Sequence, residues 1–268
     1  MIKTFHEAPK SIFKIVQSVT DGDYALVNLL DDPEYYQLFK DAIAAGREVI
    51  LDNGVFELGE AFDSDVFADW VKRLKPTYYI VPDVLDDGVA TVNRFFEFLN
   101  SHPGLPGRII GVAQGKSYKD LVNCYHLIEP HCDKVAISFN SPWYIEEENP
   151  ENVMEAFMYG RQRTLMRLVE DGVINKSKKH HLLGVALPQE MVLYGKMQAA
   201  GMCQWIDSVD TSNPVVHGLY QIKYAPEGLP FKRSTKLYTM IDQEVNYRQM
   251  DCIEHNIHKF RRFCNGLV

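Results

Sequence analysis

The feature that most constrains this chain is a rhythm. Short apolar, β-branched runs recur every 22 to 30 residues, and several end abruptly on an acid or an amide. The clearest is "VILDNGVFELGE" at 49–60, where three apolar residues run straight into Asp52, Asn53 and Gly54. Six more such runs are "YALVNL" (24–29), "TYYIVPD" (77–83), "RIIGVAQ" (108–114), "KVAISFN" (134–140), "HLLGVAL" (181–187) and "WIDSVD" (205–210). With "EVILD" (48–52) they make seven expected strands. Between them lie stretches with apolar residues at three- and four-residue spacing, which predicts amphipathic helices over 64–74, 88–99, 118–128 and 153–170. Strands apolar at successive positions are covered on both faces, as parallel strands are.

Strand–helix alternation over 268 residues predicts a single-domain (β/α)8 TIM barrel. A doubly wound open sheet is the alternative, but no G-x-G-x-x-G supports it. The eighth strand is expected either at "IFKIVQSV" (12–19) or after Tyr220. The more polar stretch from about 221 to 268 predicts a loop and a helix that close the barrel. A loop ("NSPWYIEEENPEN", 140–152) is expected before the long helix.

Hydrophobic residues make up 46% and charged residues 24%, ordinary values for a globular chain. No apolar run reaches the roughly 20 residues that span a bilayer, so no membrane partner is expected. The N-terminal "MIKTFHEAPKSIFKIVQSV" lacks the pattern of a secretory signal, and the five scattered cysteines suit reduced thiols. A cytoplasmic location is the expectation. The net charge of −8 excludes a chain-wide basic field for gripping nucleic acid, but leaves room for local patches. Two exist, "KSKKHH" (176–181) and "HKFRRF" (258–263).

In a barrel the C-terminal strand ends share one face, where the chemistry of such folds sits. That face is expected to gather Asp52, Asp83, Gln114, Ser138, Asn140 and the acids of "WIDSVD", Asp207 and Asp210. No Ser-His-Asp order, paired metal-spaced histidines or phosphate-cradling glycine loop accompanies them. Carboxylates with amides suit attack at a sugar anomeric carbon, proton transfer to a leaving base, and hydrogen bonding to the edge of a flat ring.

These motifs resemble those of the tRNA-guanine transglycosylases and their relatives that insert 7-deazaguanines into DNA. "LDNGVF" resembles that family's Asp-Ser-Gly-Gly-Phe, and "GVAQG" its Gly-Ile-Val-Gln-Gly. "LLGVALPQEM" is similar to Met-Gly-Val-Gly-x-Pro-Glu. "WIDSVDTSNP" is similar to Phe-Asp-Cys-Val-x-Pro-Thr-Arg, and "IEHNIHKF" to the C-terminal His-Asn-Ile helix. The order is the family's, over residues 48 to 263.

The resemblance implies exchange of guanine for a 7-deazaguanine through a covalent nucleotide intermediate. Asp207 would be the nucleophile, with Asp210 as the alternative, and Asp52 the general acid/base. Asp83 and Gln114 would bond the base edge, with Gly115, Asn53, Phe56, Ser138, Asn140 and Gly184 around it. Asp86 and Asp87 read as caps of the helix that follows.

The chain also departs from the family. Ser138, Phe139 and Asn140 replace the Gly-Gly-Leu of the base pocket. Thr211, Ser212, Asn213 and Pro214 stand where the tRNA enzymes carry Pro-Thr-Arg, and the arginine is missing. His255 matches the zinc histidine, but no Cys-x-Cys-x-x-Cys precedes it. Cys252 and His255, with His258 and Cys264, are the nearest approach to a ligand set. No metal or other cofactor is therefore expected. These losses favour the DNA-modifying branch, found in phages and bacteria, with tRNA as the alternative polynucleotide, a free 7-deazaguanine as co-substrate and room for accessory proteins. Lys176, Lys178, Lys179, Arg261 and Arg262 are the expected nucleic-acid contacts. A sugar-cleaving hydrolase and a non-catalytic binding subunit are the rival readings.

Overall fold

The computed structural model describes residues 1–145, 152–234 and 236–268. Eight parallel strands run in the order β1-β8-β7-β6-β5-β4-β3-β2. They are β1 (Lys3–Phe5), β2 (Asp23–Leu26), β3 (Val49–Asp52), β4 (Tyr78–Ile80), β5 (Arg108–Ala113), β6 (Lys134–Ser138), β7 (Lys179–Leu183) and β8 (Ile206–Asp210). A parallel bridge from Phe5 to Gly22, just ahead of β2, joins the two ends of the order. The result is a (β/α)8 barrel, as the alternation of elements predicts.

The helices are α1 (Phe13–Ser18), α2 (Pro33–Ala44), α3 (Val55–Leu58), α4 (Ser64–Leu74), α5 (Gly88–Ser101), α6 (Tyr118–Ile128), α7 (Val153–Glu170), α8 (Glu190–Ala199), α9 (Asn213–Leu219) and α10 (Tyr247–Cys264). Most of the longer ones begin on a side-chain cap. Asp32, Asp63, Asp87, Ser117, Asn152 and Asn246 each accept backbone N–H groups in the first turn. Asp87 is thus a cap, as expected. Of the expected 140–152 loop, residues 140–145 and 152 are described, with a 3-10 turn at Pro142–Ile145; residues 146–151 lie outside the described residues.

The apolar runs separate into two cores. Phe5, Tyr24, Leu26, Ile50, Tyr78, Ile80, Ile110, Val112 and Ala136 fill the barrel interior. The alternate positions, among them Ala25, Val49, Leu51, Val135, Ile137, Leu182 and Val209, pack under the helices. This two-sided burial is why the strands read as continuous apolar runs.

The eighth strand corrects the sequence expectation. It is β1 at the N-terminus, neither 12–19 nor a segment after Tyr220. Residues 10–18 form a 3-10 turn and α1, with Ile12, Phe13 and Val16 buried and Ile15 exposed, a helical spacing rather than a strand's alternation. α10 closes the ring from outside by packing on α8 and α9, in line with the expected C-terminal closure.

β8 pairs with β7 through a register shift. His180 opposes Ile206 and His181 opposes Ser208, so Asp207 is the extra residue of a bulge.

Candidate functional site

A cavity of roughly 670 Å3, counting the open space at its mouth, sits at the C-terminal ends of the strands. Asp52, Asp83, Gln114, Ser138, Asn140, Gly184, Phe56 and Asp210 all line it, from six different strand ends. Eight of the expected site residues therefore converge.

Each acid is held by its own donors. Asp52, at the end of β3, accepts from the Tyr24 hydroxyl at 2.9 Å and from the Gly54 amide at 2.8 Å. Burial raises its pKa to about 6, helped by the charges of Asp210 and Asp83 and opposed by these two bonds. Asp83 accepts from the Asn53 amide at 2.6 Å and the Gln114 amide at 2.8 Å. Burial raises its pKa also, against those bonds. Asn53 is fully buried and does not line the cavity; it braces Asp83 and the Val81 carbonyl.

Asp210 ends β8. Its Oδ1 accepts from His181 Nε2 at 3.0 Å and from the Gly184 amide at 3.1 Å. Oδ2 takes no hydrogen bond from the described residues and is left for the cavity. Gly184 reaches this pose at φ +59°, where a Cβ would also stand 2.7 Å from the Phe139 ring.

His181 is fully buried between the edge of Phe5 and the face of Tyr24. Its Nδ1 lies 2.8 Å from Ser208 Oγ, which in turn lies 3.4 Å from Lys134 Nζ. With Asp210 ionised, the partners assign the Nε2–H tautomer. Lys134 then donates to Ser208, Ser208 to His181 and His181 to Asp210, each donor meeting one acceptor.

The structure corrects the nucleophile expectation. Asp207 does not line the cavity. It sits at the opposite end of the barrel, 2.7 Å from Lys134 and 3.0 Å from Lys179, the first residues of β6 and β7. Burial alone would raise its pKa, but Lys134, Lys179 and Lys3 pull it down to about 2. The β8 bulge separates the two acids: Asp207 belongs to the floor, and Asp210 to the mouth. Gly115 is also displaced from its expected role. A Cβ there would lie 2.4 Å from the Leu121 amide, and its carbonyl accepts from Trp143, so it serves the packing of α6.

The expected basic contacts are away from the mouth as well. Lys178 binds the carbonyls of Glu129 and Cys132, and Lys179 pairs with Asp207, both just before or at the start of β7. Lys176 belongs to the same connection into β7. Arg261 binds Val19 and Asp21 ahead of β2, and Arg262 the Val268 carbonyl. The basic residues at the mouth are instead in "FKRSTK" (231–236). Lys232 lines the cavity, Lys236 binds the Glu57 carbonyl, and Arg233 lies over the Tyr220 ring. His255 Nε2 lies 3.1 Å from the Tyr224 carbonyl, and Cys252 is buried. Among the described residues no three His, Cys, Asp or Glu side chains gather as a metal site.

Several residues that line the cavity or stand behind it carry no sequence signal that singled them out. Tyr24 hides in an apolar strand, His181 in a basic cluster, and Glu7 follows the unexpected β1. Glu57 lies within the most acidic-looking strand end, "VILDNGVFELGE", yet reads as an ordinary helix residue.

No family model and no curated protein matches the chain. Several solved structures align with nearly the whole length of the chain. A GH5 xyloglucan-specific endo-beta-1,4-glucanase from a metagenomic library is 10% identical, with 92% of this chain and 87% of that one covered and a TM-score of 0.44. N-acetylneuraminate lyase from Mycoplasma synoviae is 12% identical, covering 98% and 95%, with a TM-score of 0.45. CitE from Mycobacterium tuberculosis, in complex with magnesium and pyruvate, is 7% identical, covering 96% and 98%, with a TM-score of 0.42. None of the three is a tRNA-guanine transglycosylase.

Proposed function

We propose that the chain is a base-exchange transglycosylase that replaces guanine in DNA with a 7-deazaguanine through a covalent Asp210–sugar intermediate. The observation that carries this reading is the gathering of Asp52, Asp83, Gln114 and Asp210 around one cavity.

In the first half-reaction Asp210 Oδ2 attacks C1′ of the nucleotide. The glycosidic bond breaks, its electron pair leaves with guanine, and the Asp52 carboxylic acid supplies the proton the base takes up. In the second, the Asp52 carboxylate removes a proton from the incoming base. That base attacks C1′, and the Asp210 ester bond breaks to restore the carboxylate. A group with a pKa of about 6 serves both directions near neutral pH. The His181 and Gly184 donors hold Asp210 so that one oxygen stays turned to the sugar. Asp83 and Gln114 bond the base edge in this reading, with Asn53 holding Asp83. The target nucleotide must be flipped out or single-stranded to enter. Lys232, Arg233 and Lys236 take the role of backbone contacts.

DNA is preferred to tRNA because the arginine and the zinc ligands of the tRNA enzymes are missing from the sequence. The test is incubation with guanine-containing DNA, or tRNA, and labelled 7-cyano-7-deazaguanine, followed by nucleoside analysis. Label in DNA supports the reading. Label only in tRNA moves the activity to the other polynucleotide. Release of free base or sugar without incorporation identifies a hydrolase and overturns the exchange.

A further inference from the structure

Two carboxylates of the cavity have no part in the exchange. Glu7 lies in the loop after β1 and Glu57 in α3, so both stand at the C-terminal end of the barrel. Both line the cavity, and both are more than nine-tenths buried. Yet Glu7 Oε2 and Glu57 Oε2, each shut off from solvent, receive no hydrogen bond from the described residues. Asp52, Asp83 and Asp210 differ, since each has two donors of its own.

The nearby ammonium groups do not fill the gap. Lys232 donates to the Val185 carbonyl at 2.6 Å and lies 3.9 Å from the Phe139 ring centre. Lys236 donates to the Glu57 backbone carbonyl at 3.0 Å, not to its carboxylate. Buried polar oxygens without donors are rare in folded proteins, and two such carboxylates lining one cavity point to a donor brought by a ligand.

We propose that Glu7 and Glu57 form a subsite for an organic cation, a ligand that carries a protonated amine or amidinium into the cavity. Such a group offers several N–H donors and the charge to match two carboxylates. An organic body is favoured because the surrounding wall includes Leu26, Val55, Phe56 and Phe139. A metal ion is not, because among the described residues no third His, Cys, Asp or Glu completes a ligand set there. The subsite does not depend on the exchange reading, because it concerns recognition alone.

The empty pair also predicts proton traffic. Burial raises the Glu57 pKa to about 7, with a contribution from Asp52 and Asp210 and against Lys236. Burial raises Glu7 well above its usual range, with Glu57, Asp210 and Asp52 adding to the effect and Lys232 opposing it. A cation binds the ionised carboxylates, so binding displaces protons and strengthens as pH rises through this range.

The test is calorimetry on the whole protein, without nucleic acid, using benzamidine and benzylamine as cations and benzamide as the neutral control. The expected result is binding of the two cations, tighter at pH 8 than at pH 6, and at least about tenfold weaker binding of benzamide. Glu7→Gln and Glu57→Gln each weaken benzamidine by about tenfold or more. Repeating the titration of the unsubstituted protein at pH 6.5, in two buffers of different ionisation enthalpy, reads proton release directly and needs no variant to fold. Equal binding of benzamide and benzamidine, no binding of either cation at millimolar concentration, or no proton release overturns the proposal. Any of these results leaves the exchange assay untouched.

Discussion

Replacing Lys134 by Met tests the polar floor of the barrel. Lys134 is fully buried, with Nζ 2.7 Å from Asp207, 3.2 Å from Glu48 and 4.1 Å from the Tyr78 ring centre. Methionine keeps most of the side-chain length but removes the charge. Removing one partner of a buried ion pair costs about 3–5 kcal/mol. Here Lys3 still reaches Glu48 and Lys179 still reaches Asp207, both from positions open to solvent. The expected loss is therefore about 2–3 kcal/mol at pH 7.

The pH dependence carries a definite sign. Asp207 titrates at about 2 when folded, below the usual ~3.9 of an unfolded Asp. Its contribution is present above pH ~4 and is lost as pH falls toward 2, with a ceiling of about 2–3 kcal/mol before solvent screening. The variant has lost most of that contribution already. The stability gap between the two proteins should narrow by about 0.5–1 kcal/mol between pH 6 and pH 3. Urea titrations followed by circular dichroism, with the slope unchanged, read the gap. A gap below about 0.5 kcal/mol at pH 7, or one that widens on acidification, refutes the account of the floor.

Four further outcomes follow from the site. Asp210→Asn should lower exchange by at least about a thousandfold, while Asp207→Asn keeps it within about tenfold; the reverse order in a labelled-base assay restores Asp207 as nucleophile. Tyr24→Phe removes a bond to the ionised form of Asp52, so the pH above which guanine release slows should move upward from about 6 by roughly half to one pH unit; an unmoved profile in single-turnover release argues against Asp52 as the acid. Gly184→Ala should cost about 1–2 kcal/mol of strain, and more if the Phe139 ring cannot yield, with a fall in exchange because the Asp210 donor shifts; thermal melts and kcat together check it. Removing the charges of Lys232, Arg233 and Lys236 together should weaken DNA binding and flatten its dependence on log salt by up to about 0.9 for each phosphate no longer neutralised, measured by fluorescence anisotropy; an unchanged slope places the backbone elsewhere.

The sequence pattern carried the barrel well because parallel strands are apolar on both faces, and seven of eight stand out as runs. β1 escaped because three residues, Lys3 to Phe5, give no run, and Lys3 points to charge rather than to a core. Residues 12–19 misled because β-branched composition outweighed the helical spacing of Ile12, Phe13, Val16 and Val19. Asp52, Asp83, Gln114 and Asp210 were legible as polar ends of apolar strands. Asp207 was not separable from Asp210, because a bulge is a property of pairing with β7 and leaves no mark in β8 itself. The basic clusters failed for a related reason. A run such as "KSKKHH" shows charge, but only the fold shows that its position before β7 puts it at the floor.

The bulge at Asp207 also says where this strand tolerates a change of length. Side chains alternate along β8, so the pairing of Ser208 and Asp210 with β7 and β1 keeps both turned toward His181. Deleting one residue below Ser208 would straighten the ladder and leave that pairing in place. Deleting or inserting one between Ser208 and Asp210 would reverse the carboxylate to the helix side and empty the mouth of its terminal acid. Natural or engineered length variants should therefore cluster on the floor side of Ser208.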